Sequence, residues 1–478
     1  MKNGTAPLLF SVALGSFMSA LDASVVNISY PQIMNYFGIP QETVEWVITA
    51  YLLVICSVLL FFGRLSDLYG QKRLFIAGFA VFTAGSALCG LSVSVWMLVA
   101  CRVIQALGAA LLMATNSAII THNVPAERRG RAFSVNAVAV ATALAAGPVL
   151  GGVLTEYLKW QSIFYVNIPV GIAAIALSVR FIPADKRRPS LRPDIPGSAM
   201  IFCALFLILL PLNRLAGGID IRLFFGLLVC GLALAAAFVI YEKKAKAPLV
   251  DMGLFRNRVF SAGLGASALN FTAQNMALFL LPLYLQTLHG NAPAEAGTYI
   301  VPMPLTMLVV APFAGYLSDR IDTRFVSSAG MAVMAGGLFM LSFIAADTSE
   351  WYIRAAMVIT GLGSGMFQTP NNSAVMNHVD AQYRGIASGM LSTARNTGMV
   401  IGVGLSGALS LLFSGMASRV YSLRGLAGAA LHDASFIFGL RVTFIIASVV
   451  ALGSMTASLT KGKVLTGKML KADGGGNG

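Results

Sequence analysis

The strongest constraint on this chain is a succession of long apolar runs. Each has about the length that crosses a hydrocarbon core as a helix, roughly 20 residues. They lie at about 6–29, 43–63, 74–93, 95–120, 131–156, 162–183, 195–212, 221–243, 258–287, 295–318, 325–346, 352–376, 385–413 and 436–459. Inside lipid each segment must satisfy its own backbone N–H and C=O groups, so these runs predict helices and an all-α polytopic membrane protein. Spans seven and eight are the weakest of the series, because Pro211 and Asn213 shorten the seventh. Composition agrees: 11% of the 478 residues are charged, against roughly 25% in a soluble domain, too few to solvate the surface in water. The first run leads directly into others and is expected to stay as the first helix, not to be a cleaved signal.

The formal net charge of +14 would suggest nucleic acid for a soluble protein. In a membrane chain it has a simpler cause, since basic residues collect in cytoplasmic loops, and no nucleic-acid partner is expected. With the N-terminus inside, about 24 of the 33 Lys and Arg fall on inner segments, about seven on outer loops and two within helices. The inner set includes Arg64, Lys72 and Arg73, then Arg128, Arg129 and Arg131, then Lys186, Arg187 and Arg188, then Lys243, Lys244 and Lys246. This asymmetry predicts a multi-pass protein of the cell (inner) membrane with both termini cytoplasmic. Trp46, Trp96, Trp160 and Trp351 all fall at expected outer ends, which reads as half of an aromatic belt.

The five cysteines lie inside apolar runs without a CxxC pair, and the four histidines are scattered. No disulfide, metal site or cofactor is expected.

The sequence repeats itself. Gly63-Arg-Leu-Ser-Asp67 follows span two and Gly315-Tyr-Leu-Ser-Asp319 follows span ten. Asn116-Ser-Ala-Ile119 resembles Asn372-Ser-Ala-Val375, and Arg129-Gly130 matches Arg384-Gly385. The copies are about 252 to 256 residues apart. The reading is two parallel six-helix bundles, 1–190 and 247–460, with two inserted helices at 191–246 and a cytoplasmic tail at 461–478 whose end is glycine-rich. Parallel repeats around a midplane site are a transporter architecture.

A few polar residues stand against this background. Asp22 is the only acid well inside a span, and an intramembrane charge costs roughly 2.5–3.5 kcal/mol on insertion scales, so it needs a partner or a task. Asp22 and Arg102 each lie about seven residues from the outer end of their spans, roughly 10 Å, a common depth at which they can pair. Arg395 sits near the middle of span thirteen, either as a structural anchor or in coupling. Asn270 and Gln274 share a helix face, as do Gln368, Asn371 and Asn372. Such amides either bond between helices or contact substrate. Gly147, Gly151 and Gly152, with Pro148, present a small face for close packing. The loop at Gly63, Asp67, Gly70 and Arg73, with its copy at Gly315 and Asp319, joins a tight turn to an acid and several bases.

These stretches resemble a known family. The Gly63–Phe75 loop is similar to the signature loop of the major facilitator superfamily, where it acts as a conformational switch. Leu21-Asp-Ala-Ser-Val-Val-Asn27, ending in Pro31, resembles the first-helix motif of its fourteen-helix drug:proton antiporters. Arg102-Val-Ile-Gln-Ala-Leu-Gly108 resembles the fourth-helix motif linked to proton transfer. Gly147-Pro-Val-Leu-Gly-Gly152 resembles the antiporter motif of helix five, and Gly385 to Gly398, with Arg395, resembles a later arginine-bearing helix. The sequence departs at Ala106 and Ala143, where the motifs carry glycine, and at Asp322, which replaces the glycine matched by Gly70. Span thirteen lacks the acid that some dication-exporting relatives carry.

The resemblance implies a major-facilitator fold of fourteen helices, with Asp22 and Arg102 in proton coupling. It implies Asn27, Gln105, Asn270, Gln274, Gln368, Asn371, Asn372 and Arg395 as candidates to line a substrate cavity. No GxxxxGK[ST] occurs, so energy would come from an ion gradient. The function expected is a proton-coupled exporter of small amphiphilic or lipophilic compounds, resembling multidrug efflux proteins. Its partners are substrate, protons and the bilayer, and it is expected to be a monomer. The alternatives are a metabolite importer or facilitator on the same fold and a non-transporting sensor or scaffold. No intramembrane His/Glu cluster or Ser/His pair suggests an enzyme.

Overall fold

In the computed structural model, which describes residues 5–124, 126–184, 194–214, 220–245, 252–318, 320–379 and 384–461, the regular elements among the described residues are helices. The first six spans comprise seven helices, α1 (Thr5–Phe37), α2 (Gln41–Tyr69), α3 (Gln71–Gly90), α4 (Val95–Asn123), α5 (Ala126–Leu158), α6 (Ser162–Tyr165) and α7 (Asn167–Phe181). Next come α8 (Ile195–Arg214) and α9 (Ile221–Glu242). The remainder is α10 (Arg258–Thr287), α11 (Pro293–Ile300), α12 (Pro302–Ser318), α13 (Thr323–Leu341), α14 (Glu350–Asn377), α15 (Arg384–Leu423) and α16 (Gly428–Leu459).

Twelve helical segments among the described residues are long and apolar enough to cross a membrane, with α6–α7 and α11–α12 each acting as one. The expected fourteen would need two more. One is α8, whose apolar stretch Pro196–Pro211 is short. The other is α14, a 28-residue helix long enough to cross but made more polar than the rest by its amides and hydroxyls.

Proline explains where expected spans break. Span six divides at Val166 because the ring of Pro169 opposes the carbonyl of Tyr165, the last residue of α6. Span ten divides at Val301 for the same reason, Pro304 opposing Ile300, while Pro302 opens α12 where its missing N–H costs nothing. By contrast α1 runs through Pro31 to Phe37, past the expected end at residue 29.

The chain forms two compact units: Met1–Asp251 with Leu285–Thr298, and Met252–Tyr284 with Tyr299–Gly478. In the first, Gly78 of α3 lies against Leu111 and Gly108 of α4, and Gly85 leaves room for the Gln105 backbone. In the second, Gly330 of α13 meets Gly363 and Met366 of α14, and Gly337 meets Thr360. Both glycine pairs stand about 252 residues apart, so the repeat read from the loops extends to helix packing by small residues.

The two switch-loop copies use different physics. Gly70 turns between α2 and α3 at φ 99°, a left-handed conformation suited to glycine, and its N–H donates to the Ser66 carbonyl at 3.1 Å. Asp322 instead caps α13, accepting from the Arg324 N–H at 3.0 Å and pairing with Arg324 Nε at 3.0 Å. Gly63 and Gly315 sit inside α2 and α12, and Arg73 is exposed in the first turn of α3. The side chain of Asp67 and all of Asp319 lie outside the described residues.

The aromatic belt needs one correction. Trp96 and Trp351 are exposed and Trp46 is half-buried, but Trp160 is buried against the rings of Tyr36, Phe37 and Phe164. The end of α1 and the α5–α6 corner enclose it, which a belt assignment from sequence position alone does not foresee.

Candidate functional site

Asp22 lies in the middle of α1 and is 2% exposed; Arg102, on α4, is 1% exposed. They form an ion pair, Arg102 Nη1 to Asp22 Oδ2 at 2.5 Å, at the common depth that the sequence implies. Gln105, one turn on from Arg102, donates through Nε2 to Asp22 Oδ1 at 2.8 Å and to Ser86 Oγ of α3 at 2.7 Å. Its carbonyl oxygen accepts from Arg102 Nη1 at 2.6 Å. Asn167, the first residue of α7, donates to Asp22 Oδ1 at 3.1 Å. Arg102 Nε donates to the Val47 carbonyl of α2 at 3.1 Å, and its guanidinium carbon lies 3.9 Å from the centre of the Tyr51 ring. Side chains or carbonyls from five helices thus converge on one carboxylate and one guanidinium. Truncating either partner of such a pair leaves an uncompensated buried charge, which is strongly destabilising.

Asn167 and Tyr51 escaped the sequence reading. The available signal for Asn167 was an amide within an apolar run, two residues before Pro169. Gln105 proves to be a member of the ion-pair node, which leaves it no free amide group to offer elsewhere. Asn27, further along α1, is half-buried with an enclosed carbonyl oxygen lacking a partner.

The second unit has a polar node without charge. Asn270 of α10 is fully buried, its amide nitrogen 3.2 Å from Met334 Sδ and 3.4 Å from Met331 Sδ. Gln368 of α14 donates to Ser364 Oγ at 2.9 Å and to Asn270 Oδ1 at 3.4 Å, and Ser364 donates to Gln274 Oε1 at 3.4 Å. Of the expected cavity candidates, Asn270, Gln274 and Gln368 therefore meet. Asn371 and Asn372 diverge. Asn372 is exposed, whereas Asn371 donates to the Gly263 carbonyl at 3.2 Å and accepts from Lys461 Nζ at 2.6 Å. Arg395 is half-buried on α15.

Lys461, expected to begin a solvated tail, is 2% exposed. Its ammonium also donates to Ser458 Oγ at 3.0 Å and lies 5.5 Å from the Phe367 ring. Burial pushes it down to about 7, with Asp322 pulling weakly the other way.

The antiporter-like face of α5 packs on two sides of the first unit. Gly147 abuts Ser24, and Gly151 abuts Ile28 and the Val25 carbonyl, so α1 and α5 touch through backbone. Pro148 is buried, and its carbonyl faces Gly297 of α11. Gly152 abuts Pro293 and Ala294 of the same short helix. Ala106 and Ala143, the departures from glycine, are both fully buried, so a methyl group fits at each.

Comparison with known proteins fits this arrangement. The chain is 36% identical over 83% of its length to the riboflavin transporter RibZ of Clostridioides difficile, covering 86% of that protein. It is 30% identical over 87% of its length to the tetracenomycin C resistance and export protein of Streptomyces glaucescens, covering 76% of that protein. Among solved structures, a bacterial homologue of the human lysosomal transporter Spinster matches with a TM-score of 0.67 at 16% identity, covering 98% of each chain, a likeness of fold. The family model described as Major Facilitator Superfamily matches residues 12–403 and 263–467. The chain therefore belongs to the Major Facilitator Superfamily and is a transporter, not an enzyme.

Proposed function

We propose that this transporter is a proton-coupled exporter of small amphiphilic or lipophilic compounds, working by alternating access as a fourteen-span monomer of the inner membrane. The observation that carries the reading is the buried Asp22–Arg102 pair. A proton arriving on Asp22 cancels the carboxylate charge and leaves the guanidinium held by Val47, Gln105 and the Tyr51 face alone. Loading and unloading that proton changes which helices α4 grips, so proton binding biases the helix arrangement. The amide node of Asn270, Gln274, Ser364 and Gln368 offers donors and acceptors without net charge, which suits neutral or zwitterionic compounds. Asp22→Asn keeps the size and most of the hydrogen bonding, turns one accepting oxygen into a donor, and removes the titration. The buried Arg102 then lacks its counter-charge, so the variant is expected to be less stable; in vesicles with an imposed pH gradient, protein that elutes monodisperse should lose uphill export. Uphill export at the parent rate would make the pair structural and send the search for coupling elsewhere.

A second reading, transport of a metabolite, is favoured by the 36% identity to a riboflavin transporter. Riboflavin and tetracenomycin C are therefore the first two compounds to offer the same vesicles. Preferential movement of riboflavin independent of the gradient would select the facilitator.

A further inference from the structure

Besides Asp22, the first unit buries carboxyls that take no part in the proposed coupling, and Glu45 is one of them. Glu45 stands in the second turn of α2 and is 2% exposed. Its Oε1 accepts from Gln41 Nε2 at 3.2 Å, while its Oε2 is enclosed without a hydrogen-bond partner.

Among the described side chains, none places a cation on it. Tyr30 of α1 is buried beside it, and the Tyr30 hydroxyl donates to the Gln41 carbonyl at 3.1 Å. The other charge acting on it from its own helix is Glu42, an acid. From α4, Arg102 is committed to Asp22. From α3, Lys72 reaches the Val179 and Ile182 carbonyls at the far end of α7, and Arg73 is exposed in the same turn. Of the α8 side chains described, the titratable one is Cys203, which is exposed; the side chain of Arg214 lies outside the described residues.

The contrast with Asp22 is direct. Asp22 meets a guanidinium and two amide donors. Glu45 has one amide and an orphan oxygen, the arrangement in which a buried carboxylate is least tolerable and an O–H group most acceptable. Glu45 also shares α2 with both groups that hold Arg102 from that side. Val47 is two residues on and Tyr51 six, roughly 3 and 9 Å along the axis.

We propose that Glu45 is a second proton-binding site of this transporter, a neutral carboxylic acid in this arrangement, on the helix that also holds Arg102 through Val47 and Tyr51. Release follows when α1 and α2 part and water or a cation reaches Oε2. The use of this proton rests on the exporter reading; its presence does not.

Infrared spectroscopy tests the presence without transport. Purified full-length protein in lipid, at neutral pH, should show the carbonyl stretch of a buried protonated carboxylic acid that shifts in D2O. Glu45→Gln should lose that component, Glu45→Asp should keep it at a shifted frequency, and Asp22→Asn should leave it unchanged. Each variant is first checked for a monodisperse elution profile. If Glu45→Gln folds and its spectrum retains the full carboxylic-acid band, the proposal is overturned. If Glu45→Gln does not fold, Glu45→Asp decides: an unshifted band overturns the proposal and a shifted one supports it. Failure of the exporter reading looks different, as uphill export by Asp22→Asn with the Glu45 band intact.

Discussion

Burial has a measurable consequence at Lys461. Its ammonium is held by Asn371 and Ser458, and burial lowers its ionisation to about 7, against about 10.4 for a solvated lysine. Between those values the unfolded chain binds a proton that the folded chain does not, so stability rises with pH across that window. The full effect is on the order of a few kcal/mol. Lys461→Met keeps the stem and removes the titration. The wild-type melting temperature should climb from about pH 7 to about pH 10, and the variant should lack that climb. Equal slopes would mean that Lys461 reaches water in the folded protein. The same residue shows what sequence cannot reveal. Asp22 and Arg102 were legible because an intramembrane charge is conspicuous and depth follows from helical rise. Glu45 and Lys461 were not, because each lies near the end of an apolar run, where a charge is ordinarily solvated. Only packing against α1 or α14 turns them inward. Asn167 was hidden differently: a single amide reads as glue until the break before Pro169 aims it at Asp22.

At the scale of elements, the two units solve the same packing problem with the same residue. Glycines on α3 and α4, and on α13 and α14, bring backbones together without side chains between them. Helix positions were legible because lipid leaves few alternatives to a helix; the breaks at Val166 and Val301 were not, because they depend on a proline opposing one particular carbonyl. The α1–α5 seam gives the clearest test. A Cβ at Gly151 would lie 2.9 Å from the Val25 carbonyl and closer still to Ile28, tighter than real contacts. Gly151→Leu should insert into the membrane at close to the parent level, because apolarity is kept. It should lose most export, because α1 carries Asp22 and is pushed off α5. Immunoblotting of membranes beside vesicle efflux separates the two. Full efflux in Gly151→Leu would place the moving contact somewhere other than this seam.

At the scale of the whole molecule, the proposed orientation rests on charge. About 24 of 33 basic residues fall on one side of the membrane when the spans are threaded in order, an imbalance that translocation itself enforces. The threading also makes α8 and α9 cross as a pair, since removing both leaves the sidedness of every other loop unchanged. The tail and the α8–α9 connection are therefore independent questions, and one set of variants answers both. With the five native cysteines replaced, single cysteines at Lys471, at Lys159 and at Gly217 are exposed to an impermeant maleimide in intact cells. Lys159, in the turn between α5 and α6, should label. Lys471 should label only after the cells are opened. Gly217 should label in intact cells if α8 and α9 span, and only in opened cells if the hairpin stays on the inner side. Labelling of Lys471 from outside would reverse the topology. Protection of Gly217 would reduce the spans to twelve and make α8 and α9 a peripheral hairpin, leaving the two repeat bundles and the Asp22–Arg102 node as they stand.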